Sequence, residues 1–521
     1  MAFRKICVVI LLSCFLTVQS ASILALFSSL SFPDHLVFRG YISLLVQRGH
    51  SVVLMTPYPG QFTPQEMERI IELNVAPDSV PYYEEYRKLM TNTDDYYPRL
   101  QSMNDFALKL AIAQLKSKTM SSLFMNPNAK FDLVITEADI PLLYAVAEKY
   151  KTPHVSITAG SGKVHQYESK GCPIHPILYP DVNALNYRNL TRVQKIFEYY
   201  RSFQTRNEYY YNFIPKCEVA AKKLFGLNRP LQEVEYDIDI LLIANNPVLM
   251  GNRPTVPAIS YVDRLHIRPG FQLHQELQTI LDSSKGAIYF SLGTLQEPEH
   301  LSTHVLQSLS DAFRELPFTV LWKIGNDTMI NKSPNIITSA WFPQQEILAH
   351  PKLKAFITHG GARSLDEALF YEVPIVGLPI VRSRKVFMKE MTRFDTGEIL
   401  DIYSLDKDIV KEVVSRVATD EKYKKGMIKL KSMIVTPMIS GPENAVWWTE
   451  YVLRNEGAKY LRSPAVGLTF FKYYMLDIAS ILLSIITVFL VATYYIIKAI
   501  FMRLRNRLFG KLRIFLFGSY K

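Results

Sequence analysis

The sequence predicts an α/β protein of two doubly wound domains lying side by side, followed by a membrane-spanning helix. Three observations carry this. Short β-rich apolar runs alternate with segments of helical period, the pattern of parallel sheets covered by helices. A stretch with Pro247, Gly251, Pro254, Pro257, Pro269 and Gly270 interrupts that alternation without sustained periodicity. A charge-free run, 478–497, contains about 20 residues, the length that ~30 Å of hydrocarbon requires. At 48% hydrophobic content over 521 residues, disorder as a general state is excluded and two to four domains of roughly 150 residues are allowed.

The N terminus comes first. Arg4 and Lys5, the apolar run 6–16 and then Val18-Gln19-Ser20 have the form of a secretory signal over 1–20, and the run is too short to span a bilayer. Residues 22–27, 51–55, 131–136 and 154–157 read as strands of a first domain, 21–245. Residues 246–275 read as the connection to a second domain, 276–440, whose strands are 287–292, 319–324, 335–338, 355–358 and 376–378. Residues 441–474 form a helical return and membrane-proximal segment, 475–497 the transmembrane helix and 498–521 a basic tail. Two such domains side by side make a cleft, and ligands bind such sheets at the carboxyl ends of the strands.

A net charge of +11 would point to nucleic acid if it covered one face. It does not: Arg4 and Lys5, with Lys498, Arg503, Arg505, Arg507, Lys511, Arg513 and Lys521, carry nine of it, so no nucleic-acid partner is expected. The tail holds no acid, which by the positive-inside bias places it in the cytosol and the bulk of the chain in a lumen. The expected location is the endoplasmic reticulum membrane, single-pass, type I. Cys7 and Cys14 lie in the signal, leaving Cys172 and Cys217, which can pair in an oxidising lumen but make no metal site. Asn189-Leu-Thr, Asn326-Asp-Thr and, less favourably before Pro334, Asn331-Lys-Ser are glycosylation acceptors where exposed.

The chemistry concentrates in FITHGGARSLDEALFYEVPIVGLPIVRSR, 356–384. A buried strand, the tight turn His359-Gly360-Gly361 and a helix over 364–371 with Asp366 and Glu367 in its first turn present free backbone N–H groups and a positive dipole end to a phosphate. A glycine turn before a helix is also structurally ordinary. Upstream, Trp341 offers a flat face for a base unless it is a core aromatic, Gln344 an amide for a ribose or base edge, and Glu367 accepts from vicinal hydroxyls.

Together Trp341-x-Pro-Gln344, Ala349-His350-Pro351, Phe356-Ile-Thr-His359-Gly-Gly361, Ser364, Glu367-Ala368 and Val373-Pro374 resemble the signature of UDP-glycosyltransferases. The similarity extends to Phe290-Ser-Leu-Gly-Thr294 and to Trp447-Trp448-Thr-Glu-Tyr-Val-Leu-Arg454. It fits best the animal branch, which includes membrane-anchored UDP-glucuronosyltransferases and arthropod and baculoviral UDP-glucosyltransferases. The resemblance implies a GT-B architecture, two facing Rossmann-like domains, with the acceptor on the first and the UDP-sugar on the second. It implies inversion without a metal, and no cofactor beyond the UDP-sugar co-substrate. By that pattern Trp341 stacks on uracil, Gln344 and Glu367 address the ribose, His359, Gly361 and Ser364 lie along the diphosphate, and Thr294 is near phosphate or sugar.

Transfer to a hydroxyl also needs a base, commonly a His oriented by a carboxylate. Counting back from His50, the family's catalytic His falls on Asp34; His35 follows, where arthropod relatives often carry a second His. Either His35 reaches the site, or Asp34 serves as a weaker base, or activity is gone; both residues are also candidates for capping a helix. Glu137, and beyond it Asp139, stand where the family places its partner carboxylate, with a surface or capping role as the alternative. Relatives usually carry Asp-Gln where Ser383-Arg384 stand, which implies a bias toward an anionic sugar such as glucuronate, or UDP held without a productive sugar. Glu372 replaces a usual Gly and implies a relaxed backbone constraint.

The leading expectation is hexose transfer, from UDP-glucose or UDP-glucuronate, to a small lipophilic hydroxylated acceptor. The second is an impaired UDP- or lipophile-binding homologue that partners active relatives, in a homo- or hetero-oligomer. The Tyr-rich segments 82–97 and 199–211 are expected to line an apolar acceptor pocket, although aromatic clusters more often pack.

Overall fold

The computed structural model describes residues 20–91, 96–181, 190–268, 270, 272–294, 301–325, 333–380, 382–434 and 439–517. The expected signal, apart from Ser20, and the three sequon asparagines lie outside the described residues.

The first sheet contains β1 (Ser22–Leu26), β2 (Ser51–Thr56), β3 (Ile70–Asn74), β4 (Leu133–Glu137), β5 (His154–Thr158), β6 (Ile240–Ile243) and β7 (Ile259–Tyr261). All pairs are parallel, in the order β3-β2-β1-β4-β5-β6-β7. Covered on both faces, its inner strands read as continuous apolar runs. Along β1, Ile23 and Ala25 join a core with Val37, Phe38 and Tyr41, whereas Leu24 and Leu26 join the opposite core with Leu115, Tyr144 and Val146. That alternation is the two-residue period of a strand.

The second sheet contains β8 (Ala287–Ser291), β9 (Thr319–Lys323), β10 (Ile336–Ser339), β11 (Leu353–Thr358), β12 (Ile375–Gly377) and β13 (Gly397–Ile399). It is also parallel, in the order β10-β9-β8-β11-β12-β13. The order reverses beside β1 in one sheet and beside β8 in the other, the crevices where such folds bind ligands.

Several boundaries differ from expectation. The segment 246–275 is not simply a connection: β7 pairs with β6, Leu241 opposite Ile259, so the chain leaves the first sheet only after Tyr261. Strands β3 (five residues), β6 (four) and β13 (three) were not read from the sequence. The helix Gly441–Arg454 returns to the first domain. Its Ala445, Val446 and Val452 enter the core around Phe38, and Asn444 Nδ2 donates to Ser260 Oγ at 2.8 Å and Tyr261 O at 3.0 Å. Cys172 and Cys217, whose pairing the sequence left open, are free and buried in separate cores.

Glu372 takes a left-handed backbone, φ +60°, the region that favours glycine. The constraint is therefore not relaxed. That conformation costs about 1–2 kcal/mol, and the Lys431 ammonium donates to the Glu372 carboxylate at 2.8 Å.

Residues 465–521 form a separate unit. Its helix Leu476–Phe517 is long and apolar enough over Leu476–Gly510 to cross a membrane. The expected basic tail is not a separate segment, because the helix runs on past Arg503, Arg505 and Arg507. Arg, Leu and Lys are good helix formers and no proline stops them.

Candidate functional site

The carboxyl ends of the two sheets border a cleft of about 690 Å³. From the second domain it is lined by Thr294 after β8, Trp341 and Gln344 after β10, and His359, Gly361 and Ser364 after β11. Glu367 and Arg384 complete that wall, and Asp34, after β1, lies on the first domain's side.

His359 is buried, with its ring packed between two glycines. A Cβ at Gly293, where φ is +90°, would come within 2.6 Å of the ring, and one at Gly361 within 2.9 Å. Burial first, then the Arg384 and Lys323 charges, hold its pKa well below the ordinary value, so the imidazole is neutral. Among the described residues its Nδ1 has no hydrogen-bond partner. The helix Ala362–Phe370 begins beside it with Gly361 as an N-cap that bonds no amide through a side chain, which leaves its first N–H groups open to an anion. This start is two residues earlier than expected, so Asp366 and Glu367 lie beyond the first turn.

Glu367 organises the next part of the wall. Gln344 Nε2 donates to its Oε2 at 2.6 Å and to Ser364 Oγ at 3.1 Å, and Gln345 Nε2 donates to its Oε1 at 2.9 Å. Burial pushes its pKa up to about 7, against the pull of both amides. Trp341 is 58% exposed and not a core residue. The Lys323 ammonium lies 4.4 Å from its ring centre, and Phe32 of the first domain meets it edge-on at 6.1 Å. An accessible indole face of this kind stacks a base, worth ~1–3 kcal/mol. Trp341→Ala is expected to weaken UDP binding roughly 5- to 150-fold, as read by calorimetric titration of the full chain.

On the first domain's side, Asp34 is the third residue of the helix Phe32–Gln47, whose N-cap is Ser31. Burial raises its pKa, opposed by the Ser31 side chain and the Arg363 guanidinium and assisted by the Asp139 charge. His35 does not line the cleft, so of the three alternatives left open by the sequence the one in which it reaches the site is not the arrangement seen. Successive helical side chains diverge by about 100°, so Asp34 facing the cleft sends His35 inward. Its Nε2 lies 2.7 Å from Ser29 O, Nδ1 lies 3.5 Å from Thr56 Oγ1, and burial lowers its pKa to about 4.

Glu137 does not orient that histidine. It accepts the backbone N–H groups of Ser28 at 2.9 Å and Ser29 at 3.0 Å, tying down the loop that leads to Asp34. Burial, then the neighbouring Asp139 charge, push its pKa up to about 7. Asp139 is held below the ordinary range despite burial, because it pairs with Lys163 at 2.9 Å and accepts from Thr158 Oγ1 at 2.8 Å. Neither carboxylate lines the cleft. The Ser383 side chain lies outside the described residues, whereas Arg384 lines the cleft with its pKa lowered by burial to about 10.

Among the described residues no tyrosine of the Tyr-rich segments lines the cleft, although Met90 of the first segment does. Tyr82, Tyr83 and Tyr86 pack with Leu30, Phe106 and Leu110, while Tyr199, Tyr200 and Tyr211 point to solvent. Sequence reasoning also missed Arg363. From the second domain its Nη1 donates to Ala244 O at 3.0 Å and its Nη2 to Ala159 O at 2.7 Å, the residues just after β6 and β5. Asp366 pairs with it at 3.3 Å. No local pattern marks such a residue, since its partners lie across the domain boundary.

The chain matches the family described as "UDP-glucoronosyl and UDP-glucosyl transferase" over residues 24–511. A UDP-glycosyltransferase of Dactylopius coccus is 29% identical over 495 residues, covering 93% of this chain and 92% of that one. An ecdysteroid UDP-glucosyltransferase of Spodoptera littoralis nuclear polyhedrosis virus is 28% identical, covering 90% and 94%. A UDP-glucuronosyltransferase of Canis lupus familiaris is 28% identical, covering 84% and 86%. Among solved structures, a Polygonum tinctorium UDP-glucosyltransferase superposes with a TM-score of 0.55 at 13% identity, and a calicheamicin glycosyltransferase with 0.53 at 18%; each alignment covers 84% of this chain and 99% of the other. These two likenesses speak to the fold alone. With its two parallel-sheet domains of GT-B type and a family match along nearly its whole length, the chain belongs to the UDP-glucuronosyl and UDP-glucosyl transferases.

Proposed function

We propose that this chain moves a hexose, glucose or glucuronate, from a UDP-sugar to a small lipophilic hydroxylated acceptor, with inversion and without a metal. The observation that carries the reading is Asp34 in the same cleft as Trp341, Gln344, His359 and Ser364. UDP lies along the second domain, its base on Trp341, its ribose at Gln344 and Glu367, and its diphosphate at His359, Gly361, Ser364 and Thr294. The acceptor enters from the first domain. The acceptor oxygen attacks the anomeric carbon as its proton passes to the Asp34 carboxylate, the bond from that carbon to the diphosphate oxygen breaks, and UDP leaves with the electron pair. Neutral His359 and the helix N-terminus stabilise the charge that develops on UDP.

Arg384 stands where a carboxylated sugar would meet a cation, which favours UDP-glucuronate over UDP-glucose. Arg384→Gln is expected to lower that preference about 10- to 150-fold, the equivalent of one charge-assisted bond of ~1.5–3 kcal/mol. Competition assays with both donors, read as kcat/KM ratios, check this.

A second reading has an observation of its own: His35 faces away from the cleft and brings no imidazole to the acceptor, so the chain serves as a UDP- or lipophile-binding partner of active relatives. UDP release by the purified full chain, screened over UDP-glucose, UDP-glucuronate, UDP-xylose and UDP-N-acetylglucosamine with phenolic and steroidal acceptors, decides between the two. Release together with glycosylated product supports transfer; UDP binding without release for any pair supports the partner role. We also place the folded bulk of the chain in the endoplasmic reticulum lumen, supported by the Leu476–Gly510 helix and the cations from Lys498 onward. Protease protection of that bulk in intact microsomes is the expected result.

A further inference from the structure

Gln345 follows Gln344 in the chain, and its amide leaves no hydrogen unused. Its Oε1 accepts the backbone N–H of Arg268 at 2.9 Å, and its Nε2 donates to His266 O at 3.0 Å and to Glu367 Oε1 at 2.9 Å. A backbone N–H only donates and a backbone carbonyl only accepts, so the amide has a single consistent orientation and its nitrogen must meet Glu367. The residues it holds, 266–268, lie on the segment that leaves the first sheet after β7. That segment is anchored in turn, because Arg268 Nη2 donates to Ser43 Oγ at 3.1 Å on the helix Phe32–Gln47. One amide thus joins a carboxylate of the second domain to a segment fixed on the first.

Glu367 depends on such donors. It is buried, and among the described residues no Lys or Arg pairs with it. His266 Nε2 lies 3.8 Å from its Oε1, yet burial and then the Arg363 charge lower the His266 pKa to about 3, so that ring is neutral and supplies no counter-charge. An ionised carboxylate offers about two acceptor sites on each oxygen. Gln344 takes one on Oε2 and Gln345 one on Oε1, which leaves one on each oxygen, the complement of two hydroxyls on neighbouring carbons.

We propose that Gln345 is a positioning residue that makes the cleft selective for ribonucleotides over 2′-deoxyribonucleotides, by holding Glu367 Oε1 fixed against segment 266–268 so that both hydroxyls of the ribose are bonded at once. Gln345 acts here through Glu367, and its role rests on the UDP reading of the cleft. Held by Gln344 alone, the carboxylate turns about its terminal bond, a soft torsion, and its two remaining acceptor sites no longer keep the direction of a diol.

The test is calorimetric titration of the purified full chain with UDP and with 2′-deoxy-UDP. The wild type is expected to bind UDP roughly 10- to 150-fold more tightly, the effect of one hydrogen bond to a charged group. Gln345→Met keeps the length of the side chain and removes all three bonds; Gln345→Asn keeps an amide and shortens its reach by one methylene. In both variants UDP affinity is expected to fall while 2′-deoxy-UDP affinity stays near that of the wild type, so the ratio collapses toward one. A purely scaffolding role weakens both nucleotides together and leaves the ratio unchanged, and that result overturns the proposal. Equal affinity of the wild type for the two nucleotides overturns it without any variant. The two readings separate in the same titrations. A chain that binds neither nucleotide loses the UDP site and this role with it, whereas one that binds UDP with a ratio insensitive to residue 345 keeps the UDP site and loses only this role.

Discussion

Asp34→Asn is expected to lower kcat by roughly 10²- to 10⁴-fold while leaving the affinity for UDP within a few-fold, because the substitution removes the proton acceptor and keeps the volume. In the proposed reading UDP is held by Trp341, Gln344 and the glycine turn of the other domain, which line the same cleft, so binding and chemistry are expected to separate. The pH dependence follows from the environment of Asp34. Only the ionised carboxylate accepts a proton, so activity rises with pH through its pKa, and burial moves that limb above the range of an exposed aspartate. In the asparagine variant the limb disappears. Asp34→His restores an imidazole at the position that faces the cleft and is expected to recover turnover. Wild-type turnover that Asp34→Asn leaves unchanged would falsify the assignment.

Arg363→Met has the second large effect, this time on stability. The guanidinium is buried, donates to Ala159 O and Ala244 O of the opposite domain and pairs with Asp366. Its loss strands Asp366 beside the domain boundary and leaves two carbonyls without these donors. Breaking a buried pair from one side typically costs about 3–5 kcal/mol, here expected as an earlier midpoint in urea unfolding of the full chain. A kinetic signature distinguishes it from general damage. The Arg363 charge opposes the burial of Asp34, so without it the acid limb of the rate profile moves to higher pH. Arg363→Lys keeps the charge but not both bonds, and is expected to preserve the limb while recovering only part of the stability.

Much of the fold was legible because its signals are local. Each inner strand is a short apolar run bounded by turn residues, and helical periodicity between runs forces parallel pairing. The second domain's wall was legible for a related reason: a strand, a glycine turn and a helix start are contiguous in 355–370, and Trp341 and Gln344 lie only one helix upstream. Elements failed where the local signal was masked by a neighbour. Strand β7 sits in a Pro-rich stretch and is recognised only by its pairing with β6. The 199–211 tyrosines looked like pocket material from composition, yet composition carries no information about which side of a helix meets the protein.

By itself the sequence determined the two-domain α/β architecture, the apolar C-terminal helix and the residues of the nucleotide wall, since all of these are written in periodicity and contiguous motifs. Only the tertiary structure decided which of Asp34 and His35 faces the cleft, because one residue along a helix turns a side chain by about 100° and residue spacing does not record the phase. It also decided that Glu137 holds a loop and that Arg363 reaches Ala159, 204 residues away in the chain. Contacts of that kind depend on how two domains close on each other, and no window along the sequence contains both partners.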